Sequence, residues 1–305
     1  MTLSEEVAEE SAGEAAPPPP PSRGRMVARR FLSSWQGRAG ALVLALVFLL
    51  AFAGPLVSPW SATAKDFTSF LAPPSAAHWF GTLRTGADVF AVTLSGLRRS
   101  LAVGLLAAVV CTALAALAGA FAGYFLGWTD RVITWVTDLL LVLPAFLVLA
   151  VLSPLAGPGR WPLFVLLLAL LLWMVTAKMA RAMTISLRQR EFVRAARYLG
   201  VPPVRIVLSH ILPNLSSLLV VDATLNVSAA ILTETSLSYF GFGIQPPDVS
   251  LGTLIADGSR TAVYAPWTFW FAAGLLVVTV LAVNLVGDAL RDAFDPASRT
   301  TGKRR

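Results

Sequence analysis

Six stretches of this 305-residue chain, 41–57, 101–126, 132–152, 161–177, 211–233 and 266–286, are continuous apolar runs of a length that crosses a bilayer. A helix needs about 20 apolar residues to span a hydrocarbon core roughly 30 Å thick. In lipid every backbone N–H and C=O must find a partner within its own element, which a helix provides. The expected fold class is therefore an all-α membrane protein with six transmembrane helices. The composition agrees. Charged residues make up 13% of the chain and apolar residues 56%, against about 25% charged in a soluble domain.

The basic residues set the orientation. If the N-terminus is cytoplasmic, the inside segments hold 18 of the 24 Lys and Arg residues and the outside segments six. Cytoplasmic segments are enriched in Lys and Arg, so both termini are expected inside. Arg98 and Arg99 run against this trend on the outer face. The net charge of +7 is accounted for by this flanking pattern, and no nucleic-acid partner is implied. The topology leaves two large outside segments, 58–98 and 234–265, and a large inside segment, 178–210. The membrane domain is bounded at 31–297, and 298–305 is a basic cytoplasmic tail. Residues 1–30 read as a disordered, acidic and proline-rich cytoplasmic tail. Five glutamates (Glu5, Glu6, Glu9, Glu10 and Glu14) precede Pro17 to Pro21, the opposite of a secretory signal's basic start.

Several chemistries are excluded. The single cysteine, Cys111, has no intrachain partner, which removes a disulfide scaffold. The only Gly-Lys pair, Gly302-Lys303, is followed by Arg304, so no phosphate-binding loop of the G-x-x-x-x-G-K-[ST] type is present. His78 and His210 fall on opposite sides of the membrane in this topology and cannot share a metal, and no metal site is expected. No G-x-S-x-G elbow occurs. Gly119 and Gly123 form a small-xxx-small pair suited to close helix packing.

The inside segment carries the most informative pattern. Phe192, Ala195, Ala196 and Leu199 fall at i, i+3, i+4 and i+7, one face of a helix. Glu191, Arg194, Arg197 and Tyr198 occupy the other positions. Gly200 suits a left-handed C-cap and Pro202-Pro203 prevents continuation. A helix of about ten residues over 190–200, with a small smooth face, fits a groove on a partner. The pattern alone equally describes a helix lying on anionic headgroups.

Arg194-Ala195-Ala196 with Gly200, followed by Ile211-Leu212-Pro213, resembles the EAA loop of ABC-importer permeases. Glu191 to Gly200 with Ser209 to Asn214 is similar to the C-type permease subunit of dipeptide and oligopeptide importers. The likeness runs from about residue 40 to 297. It takes in Ala72 to Ser75, His78 to Thr82, Gly86, Asp88 to Phe90, Asp138 with Pro144, Thr233 to Gly243, Gln245 to Pro247 and Asn284 to Asp288. Two departures stand out. Arg194 replaces the glutamate that names the EAA motif. The outer motif reads Gly81-Thr-Leu-Arg-Thr-Gly-Ala-Asp88 where relatives read Gly-Thr-Asp-Glu-Leu-Gly-Arg-Asp.

The resemblance implies a type I ABC-importer permease, multi-pass in the bacterial cytoplasmic membrane, with its coupling segment over 188–213. It implies a second permease subunit as heterodimer partner, two ATP-binding-cassette ATPase domains and an extracytoplasmic substrate-binding protein, all beside membrane lipid. No cofactor is expected on this chain; ATP and magnesium belong to the ATPases. Glu191, Phe192, Arg194, Ala195, Ala196, Leu199 and Gly200 would couple to an ATPase groove, and a glutamate at Ala196 is expected to block docking while leaving membrane insertion intact. Asp222 and Asn226, spaced i, i+4, would line the pathway and Glu234 an outer gate; interhelical hydrogen bonding is the other reading for the first two, and satisfying local backbone groups the other reading for Glu234. Trp79, Phe80 and Asp88 would contact the binding protein. Solutes among such permeases include peptides, nickel and other small molecules. A stand-alone secondary transporter would instead call for inverted repeats and charges at the midplane, which the chain does not display, and an intramembrane enzyme would need a nucleophile–base pair at one depth.

Overall fold

The computed structural model describes residues 23–294, and every described regular element is helical. The tail over 1–22 and the basic tail over 298–305 lie outside the described residues. Residues 23–30, expected to be disordered, form most of helix α1 (Arg23–Ser33) instead. Met26, Val27, Arg30 and Phe31 turn toward the bundle while the intervening residues stay exposed. Four arginines in eleven residues hide this short apolar face from a composition-based reading. Ser34 ends α1 and caps α2 (Trp35–Val57) by accepting the Gly37 N–H at 3.0 Å. Pro55 lies in the last turn of α2, where the helix stops two residues later.

Helix α3 (Val89–Phe125) is the axis of the molecule. At about 1.5 Å per residue its 37 residues reach roughly 55 Å, well beyond a hydrocarbon core. It begins twelve residues before the apolar run at 101, so its first turns belong to the segment expected outside. Asp88 caps it, its carboxylate accepting the Ala91 N–H at 2.8 Å. Two bent pairs follow. Helices α4 (Gly127–Val142) and α5 (Ala145–Leu152) meet at 85°, and α6 (Trp161–Leu172) and α7 (Met174–Leu187) at 49°. Pro144 explains the first bend: its ring pushes Leu143 out of the helical region, and Leu143 is extended. Helix α7 lies along α3, and the two glycines permit it. A Cβ on Gly119 would collide with the Ala177 carbonyl, and one on Gly123 would sit 2.6 Å from that of Arg181.

Helix α8 (Glu191–Tyr198) and the single turn α9 (Pro203–Ile206) lead through a π-turn (Val207–Ile211) into α10 (Leu212–Tyr239). Pro213 lacks an N–H and its ring would collide with the Ser209 carbonyl in a regular helix, so the backbone widens ahead of it. Helix α11 (Leu251–Ser259) is short, and α12 (Trp267–Phe294) closes the bundle against α2 and α10. By length and composition four helices, or up to six if each bent pair is one span, are long and apolar enough to cross a membrane.

The segments sort to two ends. Helix α1, the end of α7, α8, the start of α10 and the end of α12 share one; residues 58–88, α11 and the start of α12 share the other. Arg98 and Arg99, the exceptions to the charge rule, are both engaged at that second end. Arg98 donates to the Ala51 carbonyl at 3.2 Å, and Arg99 pairs with Asp248 while lying 4.8 Å over the Trp161 ring.

Candidate functional site

The helix singled out in the sequence stands at the first end as α8. Its C-terminus is a complete Schellman motif. Gly200 takes φ +74°, its N–H donates to Arg197 O at 3.1 Å, and the Val201 N–H reaches back to Ala196 O at 3.1 Å. Pro202 and Pro203 then start the next turn. Of the four residues expected to face a partner, Ala196 turns inward instead. Val193 and Ala196 are buried, packed with Tyr124, Ala180, Ile206 and Val207. Phe192, Ala195, Tyr198 and Leu199 are exposed, Leu199 at 83%. The outward face is therefore Phe192, Ala195 and Leu199. Ala196 belongs to the core, and a glutamate there would attack folding rather than docking. Two neighbouring apolar residues at i+3 and i+4 split across the face boundary, and the buried Val193 is the signal that decides which way the helix turns.

Arg194 and Glu191 are exposed and point away from the core. Arg194 joins Arg188, Arg197, Leu126 and Gln189 around a depression of about 550 Å³. Leu126, in the turn from α3 to α4, holds φ +56°, a strained value for a non-glycine residue. Next to it lies an ion pair that the sequence does not advertise. Arg181 on α7 grips Asp130 on α4 with two parallel bonds, the second at 2.6 Å. Asp138, one of the residues that carry the family likeness, pairs with Lys178 at 2.5 Å with both side chains about half exposed.

Asp222 and Asn226 do come together. Asn226 Nδ2 donates to Asp222 Oδ2 at 2.7 Å and Thr176 Oγ1, from α7, donates to the same oxygen at 2.6 Å. Asp222 also borders a cavity of about 300 Å³ with Met179, Ser217, Val221 and Arg291. The group thus bridges two helices and touches open space. Glu234 lies elsewhere, fully buried near the other end of α10. Its Oε1 accepts the hydroxyls of Ser238 and Ser250 at 2.6 Å each, while Oε2 has no partner among the described residues. Ser250 caps α11, and the Leu251 N–H donates to Ser100 on α3 at 3.1 Å. One carboxyl thereby gathers three helices.

Residues 58–88 fold into a tight structure. His78 is buried between Asp88, at 2.9 Å from its Nδ1, and Asp66, at 3.4 Å from its Nε2, with the Trp60 ring 4.7 Å away. Hydrogen bonds from the Thr68 hydroxyl and N–H hold the Asp66 carboxyl well below the usual carboxylate range. Asp88 is 2% exposed, so it is an internal cap and histidine partner, not a surface contact. Phe80 stacks on Phe271 at 3.8 Å and is half-buried; Trp79 leans on Phe90 at 5.0 Å and stays exposed. Of the three outer contacts expected from sequence, Trp79 presents the freest surface. No group of three or more His, Cys, Asp or Glu residues with metal-binding geometry occurs among the described residues.

Comparison with known proteins gives two family matches. Residues 115–300 match the family described as binding-protein-dependent transport system inner membrane component. Residues 22–74 match the N-terminal transmembrane domain of oligopeptide transport permease C. Among similar curated proteins, the oligopeptide transport system permease protein OppC of Mycobacterium tuberculosis (strain H37Rv) is 51% identical over 280 residues, covering 92% of this chain and 96% of that protein. A putative peptide permease protein of Brucella suis is 40% identical over 271 residues, 88% and 89% of the two chains. The OppC protein of Bacillus subtilis is 34% identical over 272 residues, 88% of each.

Proposed function

The chain belongs to the binding-protein-dependent transport system inner membrane components, and on that footing we propose that it forms half of the translocation pathway of a peptide-carrying ABC importer. It is a multi-pass membrane protein of the bacterial cytoplasmic membrane. In this reading each bent helix pair counts as one span, giving six, with both termini cytoplasmic and the type I importer arrangement. A second permease subunit completes the pathway. Two ATPase domains bind ATP and magnesium in place of this chain, and an extracytoplasmic binding protein delivers the solute to the end formed by residues 58–88 and α11.

The observation that carries the reading is α8. It is a short helix locked in place by a Schellman motif and a buried Val193–Ala196 edge. It presents an otherwise unexplained exposed face of Phe192, Ala195 and Leu199. Such a face, on a helix that cannot rotate without disturbing the base of α10, suits a rigid knob in a partner's groove. ATP then drives the cycle only through its different affinities for the two arrangements of the ATPases, transmitted to this knob. Peptide as solute rests on the names of the relatives, which are peptide permeases. Within the bundle, Asp222 with Asn226 borders the pathway and Glu234 holds the outer end.

Affinity purification of the tagged chain from its own membranes in mild detergent, with mass spectrometry of the proteins that co-purify, tests this. A second permease and a Walker-motif ATPase are expected. Recovery of the chain alone, from membranes whose other ABC complexes survive the same detergent, would overturn the proposal.

A further inference from the structure

The surface around α8 is strongly and unevenly charged. Arg190, Arg194, Arg197 and Arg205 are exposed and Arg188 is half-buried, whereas Glu191 is the one carboxylate over 188–205. None of these arginines joins an ion pair among the described residues; the pairs present use His78, Arg99, Lys178 and Arg181. Arg197 rests on the Tyr124 ring at 5.5 Å, and Arg188, Arg194 and Arg197 converge on the one depression. Like charges this close repel one another unless an anionic surface covers them.

The same chain carries that surface. Residues 1–22 contain five glutamates, all between positions 5 and 14, and no Lys or Arg. Their point of attachment is at the correct end. Gly24 and Val27 of α1 line a cavity of about 970 Å³ together with Leu187 and Asn214. Leu187 and Asn214 also border the adjacent depression with Arg190, Glu191 and Phe192. Eight residues separate Glu14 from Arg23, a reach of up to about 30 Å, and Glu5 reaches about twice as far.

We propose that the acidic segment over 5–14 docks on the arginine surface around α8 and competes there with the cytoplasmic partner that α8 receives. The competition rests on the coupling role proposed above; the docking does not.

The test uses the full chain with Cys111→Ala, carrying spin labels at Ala8→Cys and Gln189→Cys, in nanodiscs of zwitterionic lipid. At about 50 mM salt a population of label distances below roughly 30 Å is expected. It should vanish at about 500 mM salt, where the screening length falls to a few ångströms, and also when the five glutamates become glutamine. A distribution unchanged by either perturbation overturns the docking. In the assembled transporter, the five-glutamine variant should bind its ATPase subunits about threefold more tightly, the scale of a few exposed ion pairs removed from competition. Loss of the short distances with unaltered ATPase affinity overturns the competition. A chain that recruits no ATPase, yet keeps the salt-sensitive distances, counts against the coupling role and not against the docking.

Discussion

Replacing Glu234 by alanine removes the acceptor that gathers α10, α11 and α3. Two hydroxyls, Ser238 and Ser250, then lose a partner held at 2.6 Å in a fully buried site. A buried polar group left unsatisfied costs about 1–3 kcal/mol. Ser238 has an escape, because a helical serine can turn its hydroxyl onto the carbonyl four residues back. Ser250 is more constrained, since its oxygen also accepts the Thr253 N–H and fixes the start of α11. Together with the void left by the carboxyl, the loss is expected to reach about 2–4 kcal/mol. For chains of this general size that is a fall of roughly 5–10 °C in melting temperature. Glutamine behaves differently. It keeps a carbonyl oxygen at the Oε1 position, and its amide nitrogen replaces Oε2, which already lacks a partner among the described residues. The glutamine variant should therefore lose less than about half of what alanine loses. Thermal unfolding of the detergent-solubilised complex measures the difference, and protease cleavage within 240–250 reports whether α11 has come loose. Equal melting temperatures for the alanine and glutamine variants would refute the claim that the hydroxyl contacts anchor this end.

The two alanines of α8 separate docking from folding. Ala195→Glu should insert and accumulate normally yet lose the co-purifying ATPase, while Ala196→Glu, by burying a charge against Ile206 and Val207, should lower the membrane level of the chain itself; immunoblots and pull-downs read both. Gly123→Val should prevent accumulation, because its Cβ would meet the Arg181 carbonyl at 2.6 Å, whereas Gly24→Ala, with open space around it, should be silent. A double-mutant cycle of Asp130→Ala and Arg181→Ala should give a coupling of about 1 kcal/mol in thermal unfolding, reduced by the partial exposure of the arginine. Asp88→Ala should cost more than the roughly 1 kcal/mol of a lost cap, since it also strips His78 of a partner, while Asp88→Asn retains a capping oxygen and should cost less.

How much the sequence discloses depends on how locally each feature is encoded. The Gly119–Gly123 pair, the stop at Gly200 and the Asp222–Asn226 contact depend on residues within four or five positions of one another, and each is legible. The facing of α8 is not. Phe192, Ala195, Ala196 and Leu199 form one stripe on a helical wheel, but a stripe half made of alanine has no strong preferred side, and the tertiary contacts of Val193 decide it. Asp88 reads as a surface residue because its partner His78 lies ten residues away in an irregular segment, where no period links the two. The Asp130–Arg181 pair spans 51 positions and leaves no local trace. Helix α1 escapes a reading by composition because its apolar face is only three side chains wide amid arginines.

One continuous element, with α8 fastened to its base and Glu234 near its far end, joins the two ends. From Pro203 to Tyr239 the backbone stays helical for 37 residues, roughly 55 Å at about 1.5 Å each, interrupted only by the π-turn. Helix α8 is fastened to the base of that rod by the Val201–Ala196 bond and by the shared core of Ile206, Val207 and Ile211. At the far end Glu234 fastens the rod to α11 and, through Leu251 and Ser100, to α3. A partner that shifts α8 must therefore either move α10 as a body or deform it. Deformation is cheapest at the π-turn, where Pro213 has already removed a regular helical bond. Body motion instead strains the Glu234 contacts. Hence the stiffness of the π-turn against the strength of the Glu234 cluster sets how much of any displacement at one end reaches the other. Weakening the cluster should uncouple the outer end without touching the α8 surface that a partner sees.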